Sequence, residues 1–328
     1  MGGIFCVSLD SEFFWGVHDF TTVEQYGGNV IGARNSAIPE MLKLFRQYGI
    51  HATWAFVGGA CAKTTDELRA FMPPIDQQPT YQEACLSPYR LVDQMQEDSE
   101  QPSVFLAGRE VERVCQCPYQ EIGTHTFSHY FCLEQGQTLE QFKSDLDSAI
   151  RIAESKNIAL KSIVFPKNQI SKDYLRAAAE LGIACYRGIE KNWIYDSNLP
   201  DILKRVLRFA DAYFPISGHN CHVPEWEDGI WNIRGSRIFK PYLKKLSFLE
   251  PLKIMRIKGQ MRYAAKHNRV FHLWWHPHNF GSDTEKNMKN LKEVLQYYTQ
   301  LQGKYGMESL NMSEIMNRCK EENCGGRN

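Results

Sequence analysis

Short apolar runs alternate with amphipathic stretches along most of the chain. The runs are rich in β-branched and aromatic residues and are followed by polar turns and helical periodicity, which is the pattern of strands and helices in turn. The predicted strands span residues 4–9, 51–57, 120–124, 162–165, 183–186, 270–275 and 307–310. Residues 38–48 and 172–181 are predicted helices, the second ended by Gly182. This alternation predicts parallel βαβ units and therefore an α/β fold.

Two segments interrupt the alternation. Residues 61–118 are rich in Pro, Gln, Ser and acidic residues, and residues 190–268 contain several prolines and the tryptophans Trp193, Trp226 and Trp231. We expect one domain over residues 1–328 with insertions at these two places. Loops at the carboxyl ends of strands commonly shape a substrate site, and the insertions are expected to do so here.

Composition narrows the class of protein. The 328 residues are 43% hydrophobic and 23% charged, and 38 basic residues balance 38 acidic ones, so no nucleic-acid partner is indicated. The first ten residues have the pattern of a strand rather than of a secretion signal, and no apolar stretch is long enough to span a membrane. Ten scattered cysteines are then expected to be reduced thiols, and the expected location is cytoplasmic.

The segment from Glu121 to His129 contains two histidines four residues apart. His125 and His129 lie on one face if the chain turns helical after the predicted strand, so that both imidazoles can bind one cation. Such a pair can instead be held by hydrogen bonds in a loop. Its position directly after a strand end favours a metal site, with zinc as the expected ion and cobalt as an alternative.

The first predicted strand ends in two carboxylates, Asp10 and Glu12. One of them can bind a metal ion, and the other can accept a proton from a water that the ion activates. The alternative is a pair of solvated charges at a strand end. Phe13, Phe14 and Trp15 follow directly, which is unusual for a polar surface turn.

A third group of candidate residues follows the strand at 270–275. Strand alternation directs His272, Trp274 and His276 to the same side, and His276 is nearest to the strand end. We therefore favour His276 as a general acid for a leaving amine. His272 is interpreted as a core histidine, and His278 as a candidate supporting group.

These motifs, in this order, resemble the polysaccharide deacetylase family, the NodB-homology group. The first motif is Asp10-Ser-Glu12, the second strand is His51 to Gly58, and His125 to His129 is similar to the family's metal motif. His276-Pro277 resembles the segment of the last catalytic histidine, and residues 310–315 resemble the family's ending. The resemblance implies a distorted (β/α)7 barrel, a divalent metal site and hydrolysis of an N-acyl group.

The resemblance also implies roles for the carboxylates. Asp10 would be the catalytic base, and Glu12 would join His125 and His129 as metal ligands, with the reverse assignment of the two carboxylates left open. An arginine of the family is missing near residue 165, where this chain has Phe-Pro-Lys167. Lys167 or Arg187 is expected to supply the cation instead, although a lysine cannot form the two-pronged contact of an arginine.

Basic residues are concentrated between residues 237 and 269. Ten Lys or Arg residues are interleaved there with apolar residues, and Glu250 is the single acidic residue. Basic and apolar residues together can bind an anionic membrane surface, which predicts a peripheral membrane contact through 237–269. The alternative is the solvated face of helices that pack on the barrel.

The expected function is therefore a metal-dependent N-deacetylase that acts on an N-acetylated sugar in surface polysaccharide biosynthesis, such as capsule or O-antigen. The sugar could be nucleotide-linked, lipid-linked or part of an oligosaccharide. One alternative is a deformylase of a lipid-linked amino sugar, which needs the same groups. Another is a carbohydrate-binding relative without catalysis, which the missing arginine favours.

Overall fold

The computed structural model describes residues 2–95 and 101–325, so residues 96–100 of the predicted insertion 61–118 lie outside the described residues. The strands of the described part are β1 Ile4–Ser11, β2 Ala52–Phe56, β3 Gln120–Thr124, β4 Ser162–Ile163, β5 Cys185–Tyr186, β6 Glu225–Glu227, β7 Ile230–Asn232, β8 Arg237–Ile238, β9 Val270–Trp275 and β10 Glu308–Ser309. Its α-helices are α1 Val23–Gly32, α2 Ile38–Tyr48, α3 Thr65–Phe71, α4 Tyr89–Gln94, α5 Gln101–Phe105, α6 Gly108–Cys115, α7 Leu139–Glu154, α8 Lys172–Glu180, α9 Trp193–Asp196, α10 Asp201–Asp211, α11 Glu250–His267, α12 Thr284–Tyr305 and α13 Met312–Gly325.

Local sequence signals account for the ends of several helices. Helix α2 ends at Gly49, whose φ of 61° lies in the left-handed region that glycine adopts without a steric penalty. Helix α7 begins with a capping box, in which the Thr138 side chain accepts from the Gln141 N–H and the Gln141 side chain accepts from the Thr138 N–H. Both helices bury an apolar face against the sheet, as their periodicity predicts.

Strand β1 is an interior strand of a curled sheet. The strand order is β6-β7-β5-β4-β3-β2-β1-β9-β8, with β10 beside the start of β1, and all neighbours run parallel except β6 and β7. All eight residues of β1 are buried, because β2 and β9 pair with its two edges and helices cover the sheet. Buried parallel strands are continuously apolar, which explains the first run of the sequence.

Residues 233–239 connect the two arms of the sheet. The N–H of Ile233, directly after β7, donates to the carbonyl oxygen of Tyr186 on β5 (2.9 Å). The N–H of Ser236 donates to the carbonyl oxygen of His272 on β9 (2.8 Å). The curled sheet is thereby drawn towards a barrel. The predicted α/β fold of the distorted (β/α)7 barrel type is confirmed.

The segment 237–269 divides between core and surface. Arg237, Lys253 and Arg256 are buried, and each makes an ion pair within the protein. Helix α11 within this segment also buries apolar residues of the main core. Only part of the basic segment therefore reaches the surface, since α11 packs on the barrel. Within the described ranges, no helix combines the length and the apolar character needed to cross a bilayer.

Candidate active site

The carboxylates Asp10 and Glu12 enter the site from the end of β1. Asp10 is the seventh residue of the strand, and Glu12 follows its last residue. Both are nearly inaccessible, with exposed fractions of 2% and 5%. Phe13 has a φ of 53°, which is strained for a bulky residue, so the chain turns sharply just after Glu12. Buried charges need partners, and Asp10 and Glu12 have different partners.

The two histidines lie in a loop that follows β3. The helical turn that would place both on one face does not form: residues 125–131 are not helical, and Thr126 and His129 have φ values of 62° and 61°. Asp145 of α7 fixes the loop, because its carboxylate accepts the N–H of Phe127 (2.7 Å) and the hydroxyl of Ser128. The left-handed residues, rather than a helical spacing, bring the two imidazoles together.

Glu12 contacts both imidazoles. Its Oε1 lies 3.0 Å from Nε2 of His125 and 3.4 Å from Nε2 of His129. One donor atom from each of the three residues lies within 4.8 Å of the others. Neither ring nitrogen of His129 has a hydrogen-bond partner, although the residue is only 2% exposed. Two imidazoles and one carboxylate form a donor set typical of catalytic zinc, so these residues fit a divalent cation.

The charges of this cluster are shifted by burial and by one another. Burial opposes the ionisation of Glu12, but His276, His125 and His129 hold the pKa of its carboxyl well below the ordinary value. Burial lowers the pKa of His129 to about 4. Glu12 is therefore a carboxylate and His129 a neutral imidazole at neutral pH, which are the forms that bind metal ions.

Asp10 has a different partner. Nη1 and Nη2 of Arg187 lie 2.5 and 2.7 Å from Oδ1 and Oδ2 of Asp10, and Nη1 also lies 3.1 Å from Oγ of Ser8. The guanidinium is 4.1 Å from the centre of the Trp274 ring. Burial raises the pKa of Asp10, but Arg187 outweighs it and leaves that pKa below the ordinary value. Arg187 therefore keeps Asp10 ionised and fixes its orientation.

His276 lies beside both carboxylates. Its Nε2 is 3.4 Å from Oε1 of Glu12 and 3.7 Å from Oδ2 of Asp10. Burial lowers the pKa of His276, but the charges of Glu12 and Asp10 raise it above the ordinary value. The side chain is 20% exposed, which makes it more accessible than either carboxylate. A protonated imidazole at the surface of the site can donate a proton to a bound molecule.

A cavity of about 240 Å³ opens over these groups. It is lined by Asp10, Glu12, Gly16, Phe20, His129, Phe165, Lys167, Asn168, Arg187, Trp274 and His276. The cavity is small, and larger clefts elsewhere on the surface contain none of the site residues. Its volume is that of a site for one sugar unit or a short acyl chain, with aromatic side chains beside the polar ones.

Lys167 does not take the place of the missing arginine. Its Nζ lies 2.7 Å from Oδ2 of Asp19 and 4.2 Å from the centre of the Phe131 ring. Of the two candidate cations, Lys167 and Arg187, Arg187 is therefore the partner of Asp10. Lys167 remains at the rim of the cavity, at a backbone φ of 50°.

The remaining histidines of the late strand are not part of the cluster around Glu12. His272 is fully buried, with Nδ1 3.0 Å from the carbonyl oxygen of Ile233 and Nε2 2.8 Å from Oγ of Ser8, as expected of a core histidine. His278 is buried behind His276, with the ring centres 5.3 Å apart. Burial lowers the pKa of His278 to about 3, so it is neutral beside a protonated His276.

Comparison with known families agrees with the order of the motifs. The sequence profile described as "Polysaccharide deacetylase" matches residues 28–186. Over these residues the chain is similar to the polysaccharide deacetylase family. The family is a hydrolase class, and the resemblance predicted from the motifs is confirmed. No sequence among the curated proteins matches the chain significantly.

Solved structures show the same fold at low identity. A protein from Mycobacterium smegmatis described as a polysaccharide deacetylase is 10% identical, with a TM-score of 0.62 over 98% of this chain and 92% of its own. A protein of the same description from Pseudomonas aeruginosa PAO1 is 11% identical, with a TM-score of 0.53 over 96% and 90%. A GH57-type branching enzyme from Pyrococcus horikoshii is 10% identical, with a TM-score of 0.56 over 97% and 70%. At such identities the likeness shows the fold alone.

The matched segment contains only part of the cluster around Glu12. His125 and His129 lie within residues 28–186, whereas Asp10, Glu12 and His276 lie outside it. Two supporting residues were not predicted from the sequence. Asp145 has no signal other than its place on a helix face, and Ser8 is one of several small residues in an apolar strand.

Proposed function

We propose that the protein is a metal-dependent N-deacetylase that hydrolyses the N-acetyl group of an amino sugar. The observation that carries the proposal is the contact of Glu12 with both His125 and His129, beside an Asp10 that Arg187 holds in place. The family match supports a deacetylase rather than another hydrolase. The proposed substrate is an N-acetylated precursor of a surface polysaccharide such as capsule or O-antigen, and the proposed location is cytoplasmic.

Glu12, His125 and His129 are the proposed ligands of the cation, with zinc favoured over cobalt by the donor set. When bound, such a cation supplies a Lewis acid for the amide carbonyl and lowers the pKa of water. The contacts of Glu12 with both imidazoles support its role as ligand and leave Asp10 for another role.

Asp10 is the proposed general base. The two hydrogen bonds from Arg187 keep its carboxylate ionised and aimed along one direction, and Asp10 lines the cavity. A carboxylate in this state can accept the proton of the attacking water. The guanidinium would then act as a positioning group, since its contacts are with Asp10, Ser8 and Trp274.

His276 is the proposed general acid. The charges of Glu12 and Asp10 favour its protonated form, and its side chain reaches the cavity. Protonation of the nitrogen is needed when the C–N bond breaks, because an amide anion is a poor leaving group. Base and acid would then lie on the same wall of the cavity, with 3.7 Å between His276 Nε2 and Asp10 Oδ2.

The proposal is tested by acyl release from N-acylated amino sugars. The full chain, supplied with Zn²⁺ or Co²⁺, is incubated with N-acetylglucosamine oligomers and with their N-formyl analogues, and acetate and formate are measured. We expect acetate release that is abolished in a His125→Ala/His129→Ala variant. Preferential formate release would support the deformylase instead. Sugar binding by a protein that takes up no metal and releases neither acid with Zn²⁺ or Co²⁺ would support the carbohydrate-binding relative, which has lost its metal.

A further inference from the structure

Helix α10 has an apolar stripe that faces away from the barrel. Ile202, Val206 and Phe209 follow the i, i+4, i+7 spacing, and their exposed fractions are 76%, 57% and 40%. Among the residues of α10, all of which the structure describes, only Asp211 is buried. An amphipathic helix of a globular protein usually buries its apolar stripe, whereas α10 exposes its stripe to solvent. Exposed apolar surface of this kind marks an interaction site.

The orientation of α10 is fixed by ion pairs at its carboxyl end. The carboxylate of Asp211 lies 2.7 Å from Nη2 of Arg237 and 3.3 Å from Nη2 of Arg256, and all three residues are buried. It also accepts the N–H of Ser217 at 2.7 Å. These contacts join the helix to β8 and α11. The apolar stripe is therefore held outwards by buried contacts at the other side of the helix.

A second exposed apolar segment lies next to α10. Residues 243–248 include Phe248 and Leu243, which are 73% and 37% exposed. Nζ of Lys240 lies 4.5 Å from the centre of the Phe209 ring and so links this segment to α10. Lys240 follows the carboxyl end of β8 by two residues, so its contact places Phe209 near the end of the barrel that carries the active site.

The charge of this surface is complementary to an anionic one. Arg205 is exposed between Ile202 and Phe209, and Lys244 and Lys245 are exposed directly after Leu243. The segment 239–249 contains no acidic residue. Asp201, before Ile202, is an exposed acidic residue, so the basic residues are in excess but do not stand alone. Apolar side chains beside an excess of basic ones are the composition of helices that lie in the interface of an anionic bilayer.

We propose that α10 and residues 243–248 form a docking surface for a bilayer with anionic phospholipid headgroups. The apolar stripe would enter the headgroup layer, the basic residues would contact the phosphates, and the cavity would face the lipid. If the protein is the proposed deacetylase, a lipid-linked amino sugar is then the class of substrate. It also restricts the contact expected from residues 237–269 to the part that α11 leaves exposed.

Vesicle flotation with the full chain tests the docking surface. Vesicles of phosphatidylcholine alone are compared with vesicles that contain about 30% phosphatidylglycerol, at about 0.1 M and about 0.5 M salt. We expect binding to the anionic vesicles at low salt, with about tenfold weaker binding in an Ile202→Glu/Val206→Glu/Phe209→Glu variant. The matched control is Ile75→Glu, at an 88% exposed apolar residue elsewhere, which should leave binding unchanged.

Several outcomes would overturn the docking surface. These are no binding to anionic vesicles, equal binding to neutral ones, or equal binding by the triple variant. Dimerisation of the full chain in light scattering, lost in the triple variant, would assign the stripe to a second copy of the chain instead. Acetate release from a soluble oligosaccharide is measured on the same variants. It should be unchanged in the triple variant, so loss of docking and failure of the deacetylase proposal are separate results.

Discussion

Arg187 donates two parallel hydrogen bonds to Asp10, from Nη1 to Oδ1 at 2.5 Å and from Nη2 to Oδ2 at 2.7 Å. The two residues are 177 positions apart in the sequence and meet because both lie at carboxyl ends of strands of one sheet. A two-pronged contact fixes the direction of the carboxylate as well as its charge. The pair therefore determines how Asp10 faces the cavity.

An Arg187→Lys substitution should separate orientation from charge. Lysine retains the positive charge but cannot contact both carboxylate oxygens in parallel, so we expect kcat to fall by about 10–100-fold with a smaller change in KM. Steady-state kinetics of acetate release measures both. Arg234→Lys, at an ion pair with Glu225 away from the cavity, is the control and should be neutral. Equal losses in the two variants would show that Arg187 has only a general structural role.

Substitutions of Glu12 and of Asp10 should change the metal content of the protein differently. We expect Glu12→Gln to lose bound metal, because it removes the charge between two imidazoles, whereas Asp10→Asn should retain about one ion per chain and lose activity. Elemental analysis after dialysis against trace zinc measures the content. The opposite pattern, with metal lost in Asp10→Asn and retained in Glu12→Gln, would reverse the assignment of ligand and base.

His276 and His272 should respond oppositely to substitution. His276→Ala is expected to lower kcat by about 10²–10⁴-fold with a small change in melting temperature, because the side chain is 20% exposed and lines the cavity. His272→Ala is expected to lower the free energy of unfolding by roughly 2 kcal/mol or more, since Ser8 and the carbonyl of Ile233 lose a partner in the core. Thermal melts and steady-state kinetics of both variants measure these two effects. A stable, inactive His272 variant would contradict its structural role.

Asp145 gives the stability a defined pH dependence. Burial raises the pKa of this carboxyl from 3.8 to about 6. Below about pH 4 the group is protonated in both the folded and the unfolded chain. Between about pH 4 and pH 6 the unfolded chain loses the proton and the folded chain retains it, so the contribution of Asp145 to the free energy of unfolding falls as pH rises.

Comparison with Asp145→Asn isolates this contribution, because asparagine cannot ionise. The difference in unfolding free energy, wild type minus variant, should fall by up to roughly 3 kcal/mol from about pH 4 to pH 6 and then level off. Urea unfolding at a series of pH values measures it. A constant difference would show that the pKa of the carboxyl is ordinary in the folded protein, and a difference that rises with pH would show that it is lowered. Either result would contradict the raised pKa.

The sequence predicts the strands that carry the site better than those that close the barrel. The seven predicted strands all overlap observed ones, because most of them form a distinct apolar run. Strands β6, β7 and β8 were not predicted. They are about as short as β4, β5 and β10, but they lie among the prolines and tryptophans of residues 190–268 and not in a predicted run. Such short strands exist through their neighbours, and no local pattern of their own marks them.

For the site, residue type and strand position were sufficient to name Asp10, Glu12, His125, His129 and His276, whose side chains the structure brings together. They were not sufficient for geometry. The histidine loop depends on left-handed residues and on Asp145, which lies sixteen residues after His129 and is defined only by tertiary contacts. The choice between Lys167 and Arg187 likewise required the strand order.

The interior position of β1 in the sheet has a consequence for how the protein is made. One edge of this apolar strand pairs with β9, which is synthesised about 260 residues later. At roughly 5–20 residues per second, that edge stays without its native partner for roughly ten to sixty seconds of translation. An unpaired apolar edge is a template for aggregation. The nascent chain therefore has to be shielded until β9 has left the ribosome, and Asp10 first meets His276 only then.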